Sequence, residues 1–215
     1  QYGQNVLKET NNWSLLITDI NQLAGLPEDV LDMLAENATK AEKEGWLLNR
    51  KTTTYVPFMK YADNRELRRE LYMAYSTRCL NGGEFDNREI VRSIANDRLK
   101  VANLLGHKSY ADYVLKQRMA ENKQLVYDLL DKLLVAYQPA AQKEYAAVQE
   151  YANNQGADFQ LQPWDWAYYS EKLKDEKYEI NDELLKPYFE LEQVKKGVFG
   201  LATRLYGLQF VKNTT

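Results

Sequence analysis

One histidine, His107, and one cysteine, Cys79, occur in 215 residues. A lone thiol closes no internal disulfide, so the fold does not depend on an oxidising compartment. The sequence leaves the native compartment open, with the cytoplasm favoured. A lone imidazole excludes any metal site built from two histidines four apart on a helix, because both rings must face one ion. Lys108 follows His107 beyond Leu104-Leu105-Gly106, where a helix end is expected. A histidine there meets free carbonyls and the negative end of the helix dipole, which is a structural role. No apolar run approaches the roughly 20 residues that cross a bilayer. No long basic block exists and the net charge is -3, so neither a membrane nor nucleic acid is the expected partner. Glycine-rich phosphate loops of the G-x-x-x-x-G-K or G-x-G-x-x-G type are also missing.

What the chain does have is aromatic side chains and helical periodicity. Sixteen tyrosines and four tryptophans supply large apolar bodies with polar tips, suited to helix interfaces and to clefts alike. Residues 13–18 read as a short strand. Pro27 reads as a first-turn proline, followed by Val30, Leu31, Leu34, Ala35 and Ala38 at helical spacing, with Gly45 as the stop. Residues 46–59 are rich in Thr, Tyr and Val and carry Pro57, which predicts an extended stretch pairing with the first strand at an edge.

Asp63-Asn64-Arg65-Glu66 and Asp86-Asn87-Arg88-Glu89 each open a helix. In both, an Asp cap with a Glu three residues on is expected. Asn81-Gly82-Gly83 between them reads as a turn. Ser109 with Asp112 starts a short helix. From about Asn122 to Asn154, Val126, Leu130, Leu133, Tyr137, Ala141, Tyr145, Val148 and Ala152 keep one face apolar, a helix of roughly 50 Å at ~1.5 Å per residue. Pro139 is expected to kink or split it, and Gly156 to end it. Pro163 opens a further helix through Tyr178, and another covers about Leu191 to Tyr206. Leu208 to Val211 alternates like a strand. No low-complexity linker divides the chain, so residues 1–215 read as one α-rich segment with a small two-stranded element.

Chemistry is sparse. Cys79 has no histidine near it in sequence, which favours a buried apolar role. Carboxylates such as Glu42, Glu44, Glu70, Glu171 and Glu176 are plentiful; most lie beside Lys or Arg in solvated helical patterns, and spacing singles out no catalytic pair. The aromatic run from Trp164 to Tyr169 could stack on sugar or grip a peptide, but it equally suits packing behind a first-turn proline.

Several blocks, taken in order, resemble one family. They are Trp13-Ser14-Leu15-Leu16-Ile17-Thr18-Asp19 with Leu23-Ala24-Gly25-Leu26-Pro27, then Tyr55-Val56-Pro57-Phe58-Met59 with Asp63-Asn64-Arg65-Glu66-Leu67-Arg68. Leu104-Leu105-Gly106-His107-Lys108-Ser109-Tyr110-Ala111-Asp112-Tyr113 follows. Pro163-Trp164-Asp165-Trp166-Ala167-Tyr168-Tyr169, Leu185-Lys186-Pro187-Tyr188-Phe189 and Arg204-Leu205-Tyr206-Gly207-Leu208 complete the set. The series is similar to the zinc metallopeptidases of the peptidyl-dipeptidase, thimet oligopeptidase and oligopeptidase A family, most of all the bacterial peptidyl-dipeptidases. The resemblance implies a mostly α, neurolysin-like fold whose helices wall a deep channel for short peptides. It implies zinc, held by an H-E-x-x-H helix and a later Glu, in the parent enzyme. That helix lies downstream of the Arg204 to Leu208 block, so the chain is expected to be an interior segment, inactive alone. No catalytic, cofactor-binding or metal-ligating residue carries over onto this sequence, and none of the zinc is bound by it. The alternative is a non-catalytic helical module that binds peptide or glycan through its Trp/Tyr-rich surface. Non-specific self-association of the segment is a further expectation.

Overall fold

The computed structural model describes residues 1–178 and 185–211. These form two compact units, residues 1–171 and 172–215.

The first unit starts with α1 (Tyr2–Asn12), β1 (Ser14–Ile17) and a 3-10 turn (Ile20–Leu23), then α2 (Glu28–Lys40) and β2 (Trp46–Asn49). The two strands pair antiparallel, Ser14 opposite Asn49 and Ile17 opposite Trp46. One face of this ribbon meets α2. Ile17, Leu23, Val30, Leu34, Leu48 and Phe58 form the centre of the hydrophobic core. Leu34, Leu48 and Phe58 are wholly buried, so each removes a full side chain from water, worth about 1.5–3 kcal/mol. Gly25, at φ +86°, is required twice over: its conformation suits glycine, and a Cβ would collide with the Tyr61 carbonyl oxygen.

Residues 46–59 are only partly extended. After β2 the chain enters α3 (Thr52–Tyr61), with Pro57 inside it. Helical spacing of the buried positions Thr54, Phe58 and Met59 outweighs the β-branched composition. The bond that Pro57 cannot donate would have gone to the carbonyl of Thr53, an exposed first-turn residue that water can serve. Gly45 is not the stop of α2, which ends at Lys40. Gly45 turns the chain into β2, with φ +116°.

Next comes α4 (Arg65–Ser76), whose cap is Asn64 rather than Asp63. The Asn64 side chain accepts from Leu67 N at 3.2 Å, and Glu66 pairs with Arg69 instead of reaching back. Asp63 is drawn off by Tyr168, whose hydroxyl donates to it at 2.7 Å. Before α5 (Arg88–Leu104), Asp86 accepts from Arg88 N at 2.8 Å and from Gly82 N at 2.7 Å. The Arg88 guanidinium, followed by these backbone donors, pulls the Asp86 carboxyl down to about 2. A carboxyl lowered on folding stabilises the native state above its ordinary value near ~3.9 and loses that contribution as pH falls through the folded value. The Asp86 carboxyl carbon resonance is therefore expected to titrate near 2. A midpoint in the ordinary range would mean that the loop is open in solution.

A short helix, α6 (Tyr110–Leu115), is capped by Ser109, which accepts from Asp112 N at 3.2 Å. It leads to α7 (Lys123–Asn154), capped by Asn122. Pro139 does not split α7, which runs on as one helix. The carbonyl it frees belongs to Val135, which is 75% exposed and open to water. Buried residues occur in α7 only at Val148 and Ala152. The next helix, α8 (Pro163–Tyr178), begins in this unit.

In the second unit a 3-10 turn (Lys186–Phe189) precedes α9 (Leu191–Tyr206). Leu208 to Val211 forms no strand. Gly207, in the left-handed region, turns the chain back, and Thr203 Oγ1 donates to the Leu208 carbonyl at 2.7 Å. Phe210 then stacks on Phe199 at 4.5 Å between ring centres.

Candidate functional site

The most highly organised polar constellation surrounds Asp165, in the first turn of α8. Its carboxylate is completely buried. Arg65 reaches it from α4 with two nitrogens, Nε to Oδ1 at 3.0 Å and Nη2 to Oδ2 at 2.8 Å. Arg68, one turn on, donates Nη2 to Oδ1 at 3.1 Å and is itself 1% exposed. The Gln162 N–H adds a fourth donor at 3.1 Å. Hydrogen bonding to Asp165 raises the Arg65 guanidinium above its usual value.

Arg68 also serves the end of α3. Its Nη1 donates to the carbonyls of Ala62 and Asp63, and its Nε to that of Trp164. Its guanidinium lies 4.0 Å from the Tyr168 ring centre, and that of Arg65 lies 3.8 Å from the Phe159 ring centre. Arg68 thus places all three of its nitrogens on acceptors within the fold. With Asp165 sealed from solvent and held by two cations, it is available neither as a base nor as a nucleophile. The cluster is a clasp between α4 and α8.

The aromatic run around it is used in packing. Trp164 lies 6.0 Å from Tyr72, Trp166 is parallel to Tyr145 at 6.0 Å, and Tyr168 meets Tyr169 edge-on at 5.0 Å. Beside Tyr145, an open groove of about 470 Å³ is lined by Gln149, Asn153 and Phe159. A second, almost wholly apolar groove of about 490 Å³ runs between α6 and α7, along Val114, Leu115, Val126 and Leu130.

Among the described residues no three His, Cys, Asp or Glu side chains gather as a metal would need. The His107 ring packs on Tyr113 at 5.4 Å, and the His107 backbone N–H closes α5 on the Ala102 carbonyl. Cys79 is buried, and burial together with Glu9 pushes its thiol up to about 11. Glu171 is buried against Lys60 at 3.1 Å. These residues offer no donor set for a zinc ion. No described helix is long and apolar enough to cross a membrane.

The sequence matches the model of Peptidase family M3 over residues 58–215. The chain belongs to peptidase family M3. M3 relatives align with it from end to end. Oligopeptidase A of Salmonella typhimurium is 42% identical over 100% of this chain and 32% of its own length. Oligopeptidase A of Escherichia coli is 42% identical over 97% of this chain and 31% of its length. Dipeptidyl carboxypeptidase of Escherichia coli is 33% identical over 99% of this chain and 31% of its length. The chain thus spans about a third of the length of the M3 relatives it matches. The mostly α architecture with one small two-stranded sheet agrees with the fold that the sequence blocks imply.

The Asp165 clasp was not legible in advance. Asp165 stands in the first turn after Pro163, but its partners lie 97 and 100 residues away in sequence. The one available signal was Arg68 itself. It occupies the same helical face as Leu71, and an arginine on a buried face demands an acid.

Proposed function

We propose that this chain is the channel-wall segment of a zinc-dependent peptidase that hydrolyses short peptides, and that it is inactive alone. The carrying observation is end-to-end similarity to oligopeptidase A at 42% identity, over only a third of that enzyme. Apolar side chains exposed along α5, α7 and α9 support the reading, because bare helices of this kind fit walls that other parts of a protein back. The zinc ligands and the base that activates water would lie in the remaining two thirds. When bound there, zinc would polarise the scissile carbonyl and lower the pKa of its water. The residues of this chain position helices and hold no proton of the reaction. A cytoplasmic location goes with this reading.

The lower similarity to dipeptidyl carboxypeptidase, 33% over 99% of this chain and 31% of that enzyme, supports a second reading in which dipeptides are released from C-termini. A chimera tests both: this chain replaces the matching third of the Salmonella oligopeptidase A and is assayed with zinc and a quenched fluorescent peptide. Cleavage that a chelator abolishes is expected, with no cleavage by the isolated chain. Internal fragments select the oligopeptidase reading, and successive C-terminal dipeptides select the other. A folded chimera without activity would overturn the proposal, as would zinc-dependent cleavage by this chain alone.

A further inference from the structure

The turn Asn81-Gly82-Gly83 lies between α4 and α5. Asn81 is exposed, and no other asparagine in the chain is followed by glycine. A Cβ on Gly82 or Gly83 would meet nothing within 4 Å, so the turn has free space around it.

An asparagine before glycine holds both partners of a condensation. The side-chain amide carbon of Asn81 is the electrophile. The Gly82 nitrogen is the nucleophile once it gives its proton to solvent. A side chain on the second residue would hinder their approach, and glycine has none.

The fold restrains both partners. The Asn81 amide is engaged at the end of α4, where Nδ2 donates to the Thr77 carbonyl at 3.0 Å and to Thr77 Oγ1 at 3.1 Å. The Gly82 N–H donates to Asp86 Oδ2 at 2.7 Å. Asp86 is itself fixed by the Arg88 N–H at 2.8 Å and by the Arg88 guanidinium at 2.7 Å. A carboxyl group held at about 2 is too weak a base to take an amide proton. Its charge instead opposes a second negative charge on the nitrogen it faces.

We infer that Asn81 is a site of spontaneous deamidation, and that Asp86 is the brake on it. When the turn opens, the deprotonated Gly82 nitrogen attacks Asn81 Cγ. A C–N bond forms, the Cγ–Nδ2 bond breaks, and Nδ2 leaves as ammonia with a proton from solvent. The resulting succinimide takes up water at either carbonyl, giving aspartate or isoaspartate. No oxidant or reductant is needed. The product adds one negative charge to a chain whose net charge is -3. It also loses the donor to Thr77, the C-terminal cap of α4, where the helix dipole is already negative. Conversion therefore loosens the end of α4.

The native full chain is incubated at neutral pH, beside a sample unfolded in urea. Peptide mapping by mass spectrometry locates the amide-to-acid exchange, and a protein isoaspartate methyltransferase with a labelled methyl donor counts the isoaspartate. In the native chain Asn81 is expected to convert faster than any other asparagine. In urea, where the brake is released, its conversion should be roughly tenfold faster still. Asp86→Ala should close most of that gap in the native chain and leave the rate in urea unchanged. Arg88→Gln loosens Asp86 without removing it and should give a smaller rise. Circular dichroism checks that each variant is folded, and if Asp86→Ala is not, Arg88→Gln carries the comparison. An Asn81 that stays intact in the native chain through many half-times of its conversion in urea would overturn the site. A native rate equal to that in urea, or unmoved by the substitutions, would overturn the brake.

Discussion

Replacing Asp165 with alanine is expected to lower the unfolding free energy by about 3–5 kcal/mol, the cost of leaving a buried charge without its partner. The charge in question is Arg68, whose side chain is 1% exposed against a carboxylate at 0%. Arg68 keeps three carbonyl acceptors, which hold its geometry but do not neutralise it. Domains carry only about 5–15 kcal/mol in total, so the variant loses a large share of its stability. Arg65→Ala should cost less, roughly 1.5–3 kcal/mol, because Arg65 is partly exposed and Asp165 retains Arg68. Urea unfolding followed by circular dichroism gives both values. A change below about 1 kcal/mol for Asp165→Ala, within the ordinary range of surface substitutions and their neighbours, would mean the clasp is not closed in solution.

The second large effect concerns association. Purified alone, the chain should exceed its 25.1 kDa monomer mass at micromolar concentrations and above. Leu129, Leu134 and Tyr137 of α7 are each at least 58% exposed. In α9, Leu191, Val194, Val198, Leu201 and Leu205 recur at spacings of three and four, and the helix buries no residue. Such a stripe is a seam for another helix. A net charge of -3 opposes association only weakly in a chain of this length. Light scattering across a concentration series decides. A strict monomer throughout would favour the self-sufficient binding module over the channel-wall segment.

The sequence carried much of the helical frame because its signals were local. Asn122, Ser109 and Pro163 mark starts, and Leu191 to Tyr206 keeps a helical period over four turns. The β1–β2 pair was legible for the same reason, as each strand is short and flanked by polar or turn residues. The misreadings occurred where a longer-range contact outweighed local preference. In α3, Thr54, Phe58 and Met59 reach a core that α2 and the strands create, and this overrides three threonines and a proline. Asp63 and Asn64 are equally good caps by composition. Tyr168, 105 residues later, removes Asp63 from the choice. Phe210 settles on Phe199 rather than in a ladder, since the described residues provide no strand beside it.

The separation of the clasp's halves also has a consequence for synthesis. Arg68 leaves the ribosome 97 residues ahead of Asp165. At about 5–20 residues per second, that interval lasts roughly 5–20 s, far longer than helix formation or collapse. Throughout it, the guanidinium that will be sealed inside lacks the carboxylate that pairs with it in the fold. Closing the pocket early would strand a bare charge, so final packing of the α3–α4 pair is expected to follow the emergence of α8.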